Sequence, residues 1–405
     1  MNVLCLFQKF DFSSATIYLD LVYALKDRGH RVMIAACSSS VSVSHQEERE
    51  GITCAFVPVP DQFSAGKIKK GLIQLMLGRK LFRAVKRYFW NEHVDIIIYP
   101  TPPVTLSGIL RPLKKHFGAL NYLMLKDIFP QNAADLGMMS EKGLLFRFFK
   151  RLERELYRES DRIGCMSPAN LEYIKQHNPE VDRDKLGLFP NTVKIINEGE
   201  RYGDEGREGV KNGNENGDSA DSYVNIIFGG NLGKPQAIDF LLDSISTLKD
   251  NPDVMFTFIG SGTEEERIRS YIEKNSPPNL KHFKELPRRE YEEILKSADI
   301  GLISLSHLFT IPNFPSRILS YMQMSKPVFA VTDRNTDIGE LITEKAHCGY
   351  WCPSDDKTAF RDTVLRIVSE RESLPEMGRR GREYLKEHFS VERSVEILEN
   401  AVAGK

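Results

Sequence analysis

The chain has 405 residues, 41% hydrophobic and 27% charged, with a formal net charge of −1. That length exceeds one ordinary domain and fits two of medium size, each with enough apolar residues for a core. The near-zero charge argues against a nucleic-acid binder, and six cysteines without a C-x-x-C pair suggest neither a zinc site nor a disulfide framework. A reducing, cytoplasmic setting is the expectation. The opening residues do not read as a secretory leader, and no run of about eighteen apolar residues is there to span a bilayer.

Asn2 to Phe7 reads as a buried strand, Ile17 to Arg28 as an amphipathic helix stopped by Gly29, and Arg31 to Ala36 as the next strand. This βαβ opening predicts a doubly wound parallel sheet, whose ligands sit at the carboxyl ends of its strands. The loop QKFDFSSAT, with Ser13 and Ser14, lies at that end and is equally readable as a plain helix cap. Ser64 to Trp90 carries eight basic residues and no acid, with Ile68, Leu72, Leu75, Leu81, Phe82, Val85 and Phe89 at helical spacing. Such a helix either lies on an anionic membrane or packs on a core with a solvated basic back. Val94 to Tyr99 and Leu120 to Leu125 are further strands, the second delivering Lys126-Asp127-Ile128-Phe129-Pro130 to the sheet's carboxyl edge. Asp127 there is either functional or a turn residue.

Residues 197–222 are rich in Gly, Asn, Asp and Glu and poor in apolar groups, so a linker or loop is expected between domains. The expected division is 1–196, linker 197–222, 223–385, and a closing helix in 386–405. In the second half, VNIIFGGNLGKP runs a strand into Gly229, Gly230 and Gly233, with Lys234 beside them and Ile238, Leu241, Leu242 and Ile245 on a following helix. Glycines at such a turn let backbone amides approach a phosphate. Asn313 reads as the cap of a helix whose first turn holds Pro315, Ser316 and Arg317, a second cationic helix start suited to a diphosphate. That helix stops at Ser325-Lys326-Pro327 before the strand VFAV.

These stretches resemble the family 4 (group 1) retaining glycosyltransferases of the GT-B fold, and within them the bacterial polysaccharide branch that includes N-acetyl-L-fucosamine transferases. GGNLGKPQAIDFLL is similar to that branch's Gly-Asn-Ile/Leu-Gly-Lys-Ala-Gln loop. FPSRILSYMQMSKPV is similar to its Pro-Ser-Lys…Tyr-Met…Gly-Lys-Pro-Val segment, and KDIFP to its His/Gln-Asp-Leu/Ile-Trp/Phe-Pro segment. The resemblance implies two Rossmann-like α/β domains facing across a cleft, the closing helix crossing back to the first. It nominates Asp127 and Lys126 for catalysis, and Gly230, Asn231, Gly233, Lys234, Ser316 and Arg317 for the diphosphate. Leu286 and Pro287 would meet the base, Glu340 the ribose, and Asn313 and Phe314 the donor sugar. Ser13 and Ser14 replace the glycines of the family's first loop. Two departures stand out. The family's glutamate pair is replaced by Pro312 and Ser320, and its phosphate-binding Arg and Lys by Asn231 and Gln236, leaving Lys234 and Arg317 to substitute.

The implied activity moves a sugar, of N-acetylated hexosamine type, from a UDP-linked donor to a polyprenyl-diphosphate-linked saccharide, with retention and without a metal or cofactor. The setting would be lipopolysaccharide or capsule assembly by an enzyme held at the inner membrane face through Ser64 to Trp90, with no nucleic acid involved. A nucleotide-sugar epimerase and a non-catalytic scaffold of the same fold are the alternatives.

Overall fold

The computed structural model of the protein describes residues 1–12, 16–60, 67–196 and 223–404. Ser13 and Ser14, the start of the Ser64 to Trp90 segment and the expected linker 197–222 lie outside the described residues. The chain divides into two compact units, one of Met1–Lys194, Thr310–Phe314 and Val391–Lys405, the other of Ile195–Phe309 and Pro315–Ser390.

The first unit holds strands β1 (Asn2–Phe7), β2 (Arg31–Ser38), β3 (His45–Arg49), β4 (Ile52–Pro58), β5 (Ile96–Pro100), β6 (Leu120–Leu125), β7 (Arg162–Cys165) and β8 (Leu186–Leu188). They form one sheet in the order β3-β4-β2-β1-β5-β6-β7-β8, parallel except for the β3–β4 pair. β2, β5 and β6 are buried nearly end to end, as unbroken apolar strands must be when helices cover both faces. Those helices are α1 (Ile17–Asp27), α2 (Lys67–Tyr88), α3 (Ser107–Phe117), α4 (Gln131–Asp135), α5 (Leu144–Glu159) and α6 (Pro168–His177). Thr16 caps α1 by accepting from the Leu19 amide at 3.3 Å, and Gly29 ends it with φ +84°. In the described part of α2, Leu77, Leu81, Ala84 and Val85 are core, as is Phe89 just after it, whereas Arg79, Arg83, Lys86 and Arg87 point to solvent. Its second half is thus a core-packed helix with a basic back.

The second unit holds β9 (Val224–Gly229), β10 (Val254–Ile259), β11 (Leu280–Phe283), β12 (Ile300–Ser304), β13 (Val328–Thr332) and β14 (Gly349–Pro353). They form an all-parallel sheet in the order β11-β10-β9-β12-β13-β14. Its helices are α7 (Ile238–Ser246), α8 (Glu265–Asn275), α9 (Arg288–Ser297), α10 (Arg317–Gln323), α11 (Ile338–Glu340), α12 (Lys357–Ser369) and α13 (Leu374–His388). Both units are therefore Rossmann-like, as expected. Strand order reverses between β1 and β5 in the first and between β9 and β12 in the second, and crevices at such reversals take ligands in this kind of sheet.

Two further pieces complete the first unit. The last helix, α14 (Val391–Ala403), packs on α1, with Val395 and Leu398 in that core and Thr192 hydrogen-bonded to Ser394 at 2.7 Å. Residues 310–314 are held by polar side chains: Asn170 donates to the Pro312 carbonyl (2.6 Å), Asn191 to that of Phe314 (3.1 Å), and Asp135 accepts from the Thr310 amide (2.8 Å). Among the described residues no helix is long and apolar enough to cross a membrane.

Leu398 is fully buried, so Leu398→Ala should cost the first unit about 3 kcal/mol through lost burial and a residual cavity. Urea unfolding followed at Trp90, in the first unit, should shift while the transition followed at Trp351, in the second, stays put. An unshifted Trp90 transition would mean that α14 adds nothing to that core.

Candidate functional site

In the second unit the site begins where β9 ends. Phe228, Gly229 and Gly230 lead into a turn closed by Gly233 and the short helical turn Lys234–Gln236. Its amides are mostly spoken for. Gly229 donates to the Tyr321 hydroxyl (3.3 Å), Gly230 to Ile259 O (2.9 Å), Leu232 to Ser261 O (3.0 Å) and Gly233 to the Gln236 side chain (2.9 Å). The expectation that this turn cradles a phosphate through its glycine amides meets amides already on protein acceptors, whereas those of Asn231 and Lys234 have no partner among the described residues. Gln236 is buried and pins the turn, so it is structural. Ile259-Gly260-Ser261-Gly262 carries the glycine loop on its backbone. A Cβ on Gly260 would stand 1.9 Å from Gly230 O, and one on Gly262 2.2 Å from Leu232 O.

Arg317 supplies what the amides do not. Its guanidinium lies over the Phe228 ring, 4.3 Å from the centroid, and Nη2 sits 3.2 Å from where a Gly230 Cβ would be. Nη1 is buried with no hydrogen-bond partner among the described residues, a costly state for a donor on a cation. Burial lowers its pKa, opposed by the phenols of Tyr321 and Tyr291, and guanidinium stays charged through any ordinary pH. The helix start differs from the expectation. α10 begins at Arg317 after an uncapped Ser316, and Asn313 does not cap it, because residues 310–314 belong to the first unit. Phe314 is buried and offers no side chain to a ligand. Lys234 and Ser316 are exposed.

Leu286 and Pro287 lead into α9, whose Tyr291 hydroxyl reaches Gly229: a Cβ there would be 2.3 Å away. That contact brings the 286–287 loop within one helical turn of the glycine turn. Glu340 instead forms an ion pair with Lys345 at 2.9 Å, half exposed. Phe228, Tyr291 and Tyr321 escaped the sequence reading, since nothing local marks a core aromatic as the lining of a charge site.

The first unit's candidate pair sits at the carboxyl end of β6, next to that sheet's reversal. Buried Thr101 accepts from both the Lys126 (3.1 Å) and Asp127 (3.2 Å) amides, fixing the turn. Lys126 Nζ donates to Phe189 O and Pro190 O, each at 3.2 Å, and stands over the Phe189 ring. Burial without an acid partner brings its pKa down to about 7. Burial likewise raises Asp127 to about 7, and its charge helps hold the Tyr18 phenol up. Among the described residues no three His, Cys, Asp or Glu side chains gather as metal ligands.

These values fix a pH dependence. Asp127 keeps its proton to about 7 against 3.8 for a free carboxylate, so the folded state binds the extra proton and stability falls as pH rises through that window. Lys126 loses its proton near 7 rather than 10.5, so above 7 the unfolded chain binds the extra proton and stability rises with pH. Urea midpoints across pH should show Asp127→Asn flattening the first slope and Lys126→Met the second. A variant that keeps its slope contradicts the assignment.

A family profile described as "Glycosyltransferase Family 4" matches residues 14–195, and one described as "Glycosyl transferases group 1" matches 214–384. WbjE of Pseudomonas aeruginosa, a probable glycosyltransferase, is 24% identical over 342 residues, 81% of this chain and 79% of its own. WcaI of Escherichia coli strain K12, a putative colanic acid biosynthesis glycosyl transferase, is 21% identical over 61% of this chain and 60% of its own. Among solved structures, HepE of Anabaena in complex with UDP matches with a TM-score of 0.68 at 12% identity, both chains fully covered, so the fold is shared. With one profile on each unit, the chain belongs to the glycosyltransferases of the GT-B fold, family 4 in type in its first half and group 1 in its second.

Proposed function

We propose that the chain transfers a sugar, of N-acetylated hexosamine type, from a UDP-linked donor to a polyprenyl-diphosphate-linked saccharide in surface polysaccharide assembly, with retention of configuration. The observation that carries the donor half is the buried, partnerless Nη1 of Arg317, over Phe228 and beside Gly230 at the sheet's reversal. An anionic oxygen is the group that satisfies it, and the UDP in HepE supports a nucleotide diphosphate. The colanic acid role ascribed to WcaI supports a polysaccharide acceptor.

In this reading the bond from the sugar's anomeric carbon to the diphosphate breaks and its electron pair leaves with UDP. Arg317 and exposed Lys234 meet the charge that grows there, which calls for no metal. The acceptor oxygen bonds the anomeric carbon and gives its proton to Asp127, whose pKa of about 7 suits that task. The base is assigned to Leu286 and Pro287, and the ribose to Glu340 once it releases Lys345. The basic outer face of α2 would hold the enzyme to the anionic inner leaflet.

Arg317→Ala should weaken UDP binding about ten- to a hundredfold by titration calorimetry, and Lys234→Ala by less because that side chain is exposed. Wild-type affinity in Arg317→Ala would remove the diphosphate assignment. Asp127→Asn should lower turnover about a hundredfold or more while leaving UDP affinity intact. The activity itself is checked by incubating the protein with a panel of UDP-sugars and lipid-linked acceptors. Acceptor-dependent release of UDP and a product of unchanged anomeric configuration are expected. An epimerised donor without UDP release would contradict the reading.

A further inference from the structure

The outer side of the first unit carries apolar residues that no described part of the chain covers. Leu144 (83% exposed), Leu145 (56%) and Phe148 (43%) share one face at the start of α5, and Met138 (66%) stands in the loop before it. The ridge has a fixed base. The Met138 amide donates to Ala133 O (2.9 Å), Gln131 donates to both Asp135 (2.9 Å) and Glu141 (2.6 Å), and Phe148 packs against Phe149, which meets Phe129 edge-on in the interior. Four large apolar groups held in solvent by a helix start and the ordered loop before it are unusual on a protein surface.

A second apolar group lies close by. Leu75 (42%) and Met76 (52%) on α2 come just before Gly78, which abuts Thr105 O so closely that a Cβ would stand 2.7 Å away. α5 packs against the same short turn, Val104–Leu106, so both groups stand on helices that meet it. α3 lies against both α2 and α5, and the exposed side of this helical layer carries Arg79, Arg83, Lys86, Arg111, Lys142 and Arg147. None of these six has an ion pair among the described residues; the acid in the rim, Glu141, is hydrogen-bonded to Gln131. A dry tip inside an unpaired basic field is the chemistry of an anionic lipid surface, which takes apolar groups between its headgroups and cations at its phosphates.

We propose that the α5 ridge, with Leu75 and Met76, is the part of the chain that enters the headgroup region of an anionic membrane. This rests on the reading of a lipid-linked acceptor and assigns the insertion to the start of α5 instead of the length of α2. The placement has a functional consequence. Helices that follow parallel strands run back along the sheet, so the starts of α2, α3 and α5 lie at its carboxyl edge, the edge that bears Lys126 and Asp127. An acceptor saccharide anchored in the bilayer would then emerge at the edge where it is needed.

The test is flotation of the full chain with vesicles of phosphatidylethanolamine and about one-third phosphatidylglycerol, alongside vesicles without the anionic lipid. Wild type should bind the anionic vesicles. The combined variant Leu144→Asp, Leu145→Asp, Phe148→Asp should lose at least about tenfold in partition while binding UDP like wild type, because all three side chains are exposed and lie in the other unit from Arg317. Fluorescence of Phe148→Trp should be quenched by brominated lipid, and that of Leu365→Trp, exposed in the second unit, should not. A triple variant that floats like wild type overturns the ridge and leaves adhesion by the basic face standing. Wild type that ignores every vesicle overturns the ridge and membrane adhesion together, with glycosyl transfer still judged by UDP release. A wild-type dimer in vesicle-free buffer that the triple variant turns into a monomer shows a second copy on the ridge and also overturns the proposal.

Discussion

Placing a guanidinium in the interior of the second unit strips it of water, and the protein returns only part of what water gave. The face of Phe228 offers a quadrupole at 4.3 Å, and the phenols of Tyr291 and Tyr321 lie close enough to favour the charged form. Nη1 is left with nothing among the described residues. Much of the surrounding sequence follows from that one placement. Nη2 lies so near residue 230 that a side chain there would press on it, and φ is +125° there, so Gly230 is required on two counts. The Gly230 and Leu232 carbonyls then lie where Cβ atoms on residues 260 and 262 would be, and both of those positions are glycine.

The first unit stores its chemistry differently. It has no unsatisfied cation at its candidate site but two adjacent ionisable groups, Lys126 and Asp127, each moved by burial to about 7 from opposite directions. Thr101 fixes both amides, and two carbonyls hold the amine without neutralising it. One sheet thus presents a fixed positive charge, suited to a leaving diphosphate. The other presents groups poised to move a proton, suited to an acceptor hydroxyl. Both stand at the carboxyl ends of strands, at or beside a reversal of strand order, where doubly wound topology leaves room.

Much of this was legible in the residues. The buried strands Asn2–Phe7 and Leu120–Leu125 announced themselves as apolar runs, and Arg317, Lys126 and Asp127 were nominated by the resemblance of their segments. What could not be read locally depends on distant partners. Asn313 looks like a helix cap, yet residues 310–314 are claimed by Asn170, Asn191 and Asp135, over a hundred positions away in the chain. The glycine turn looks like a phosphate cradle, yet Tyr321, Ile259, Ser261 and Gln236 take its amides. His45–Arg49 has no apolar pattern because it is an exposed edge strand, paired antiparallel with β4. In α2 the apolar spacing left a membrane or a core as the partner of its stripe, and packing turns Leu81 and Val85 into the core while Leu75 stays exposed.

The central claim is that the diphosphate is bound by the buried Nη1 of a half-buried arginine and not by a ring of loop amides. A crystal structure of the protein with UDP tests it most directly. The account predicts a diphosphate oxygen within about 3 Å of Arg317 Nη1, with the Gly229, Gly230 and Gly233 amides still on their present partners. A diphosphate that leaves Nη1 unpaired, or that draws those three amides onto its oxygens, would contradict it.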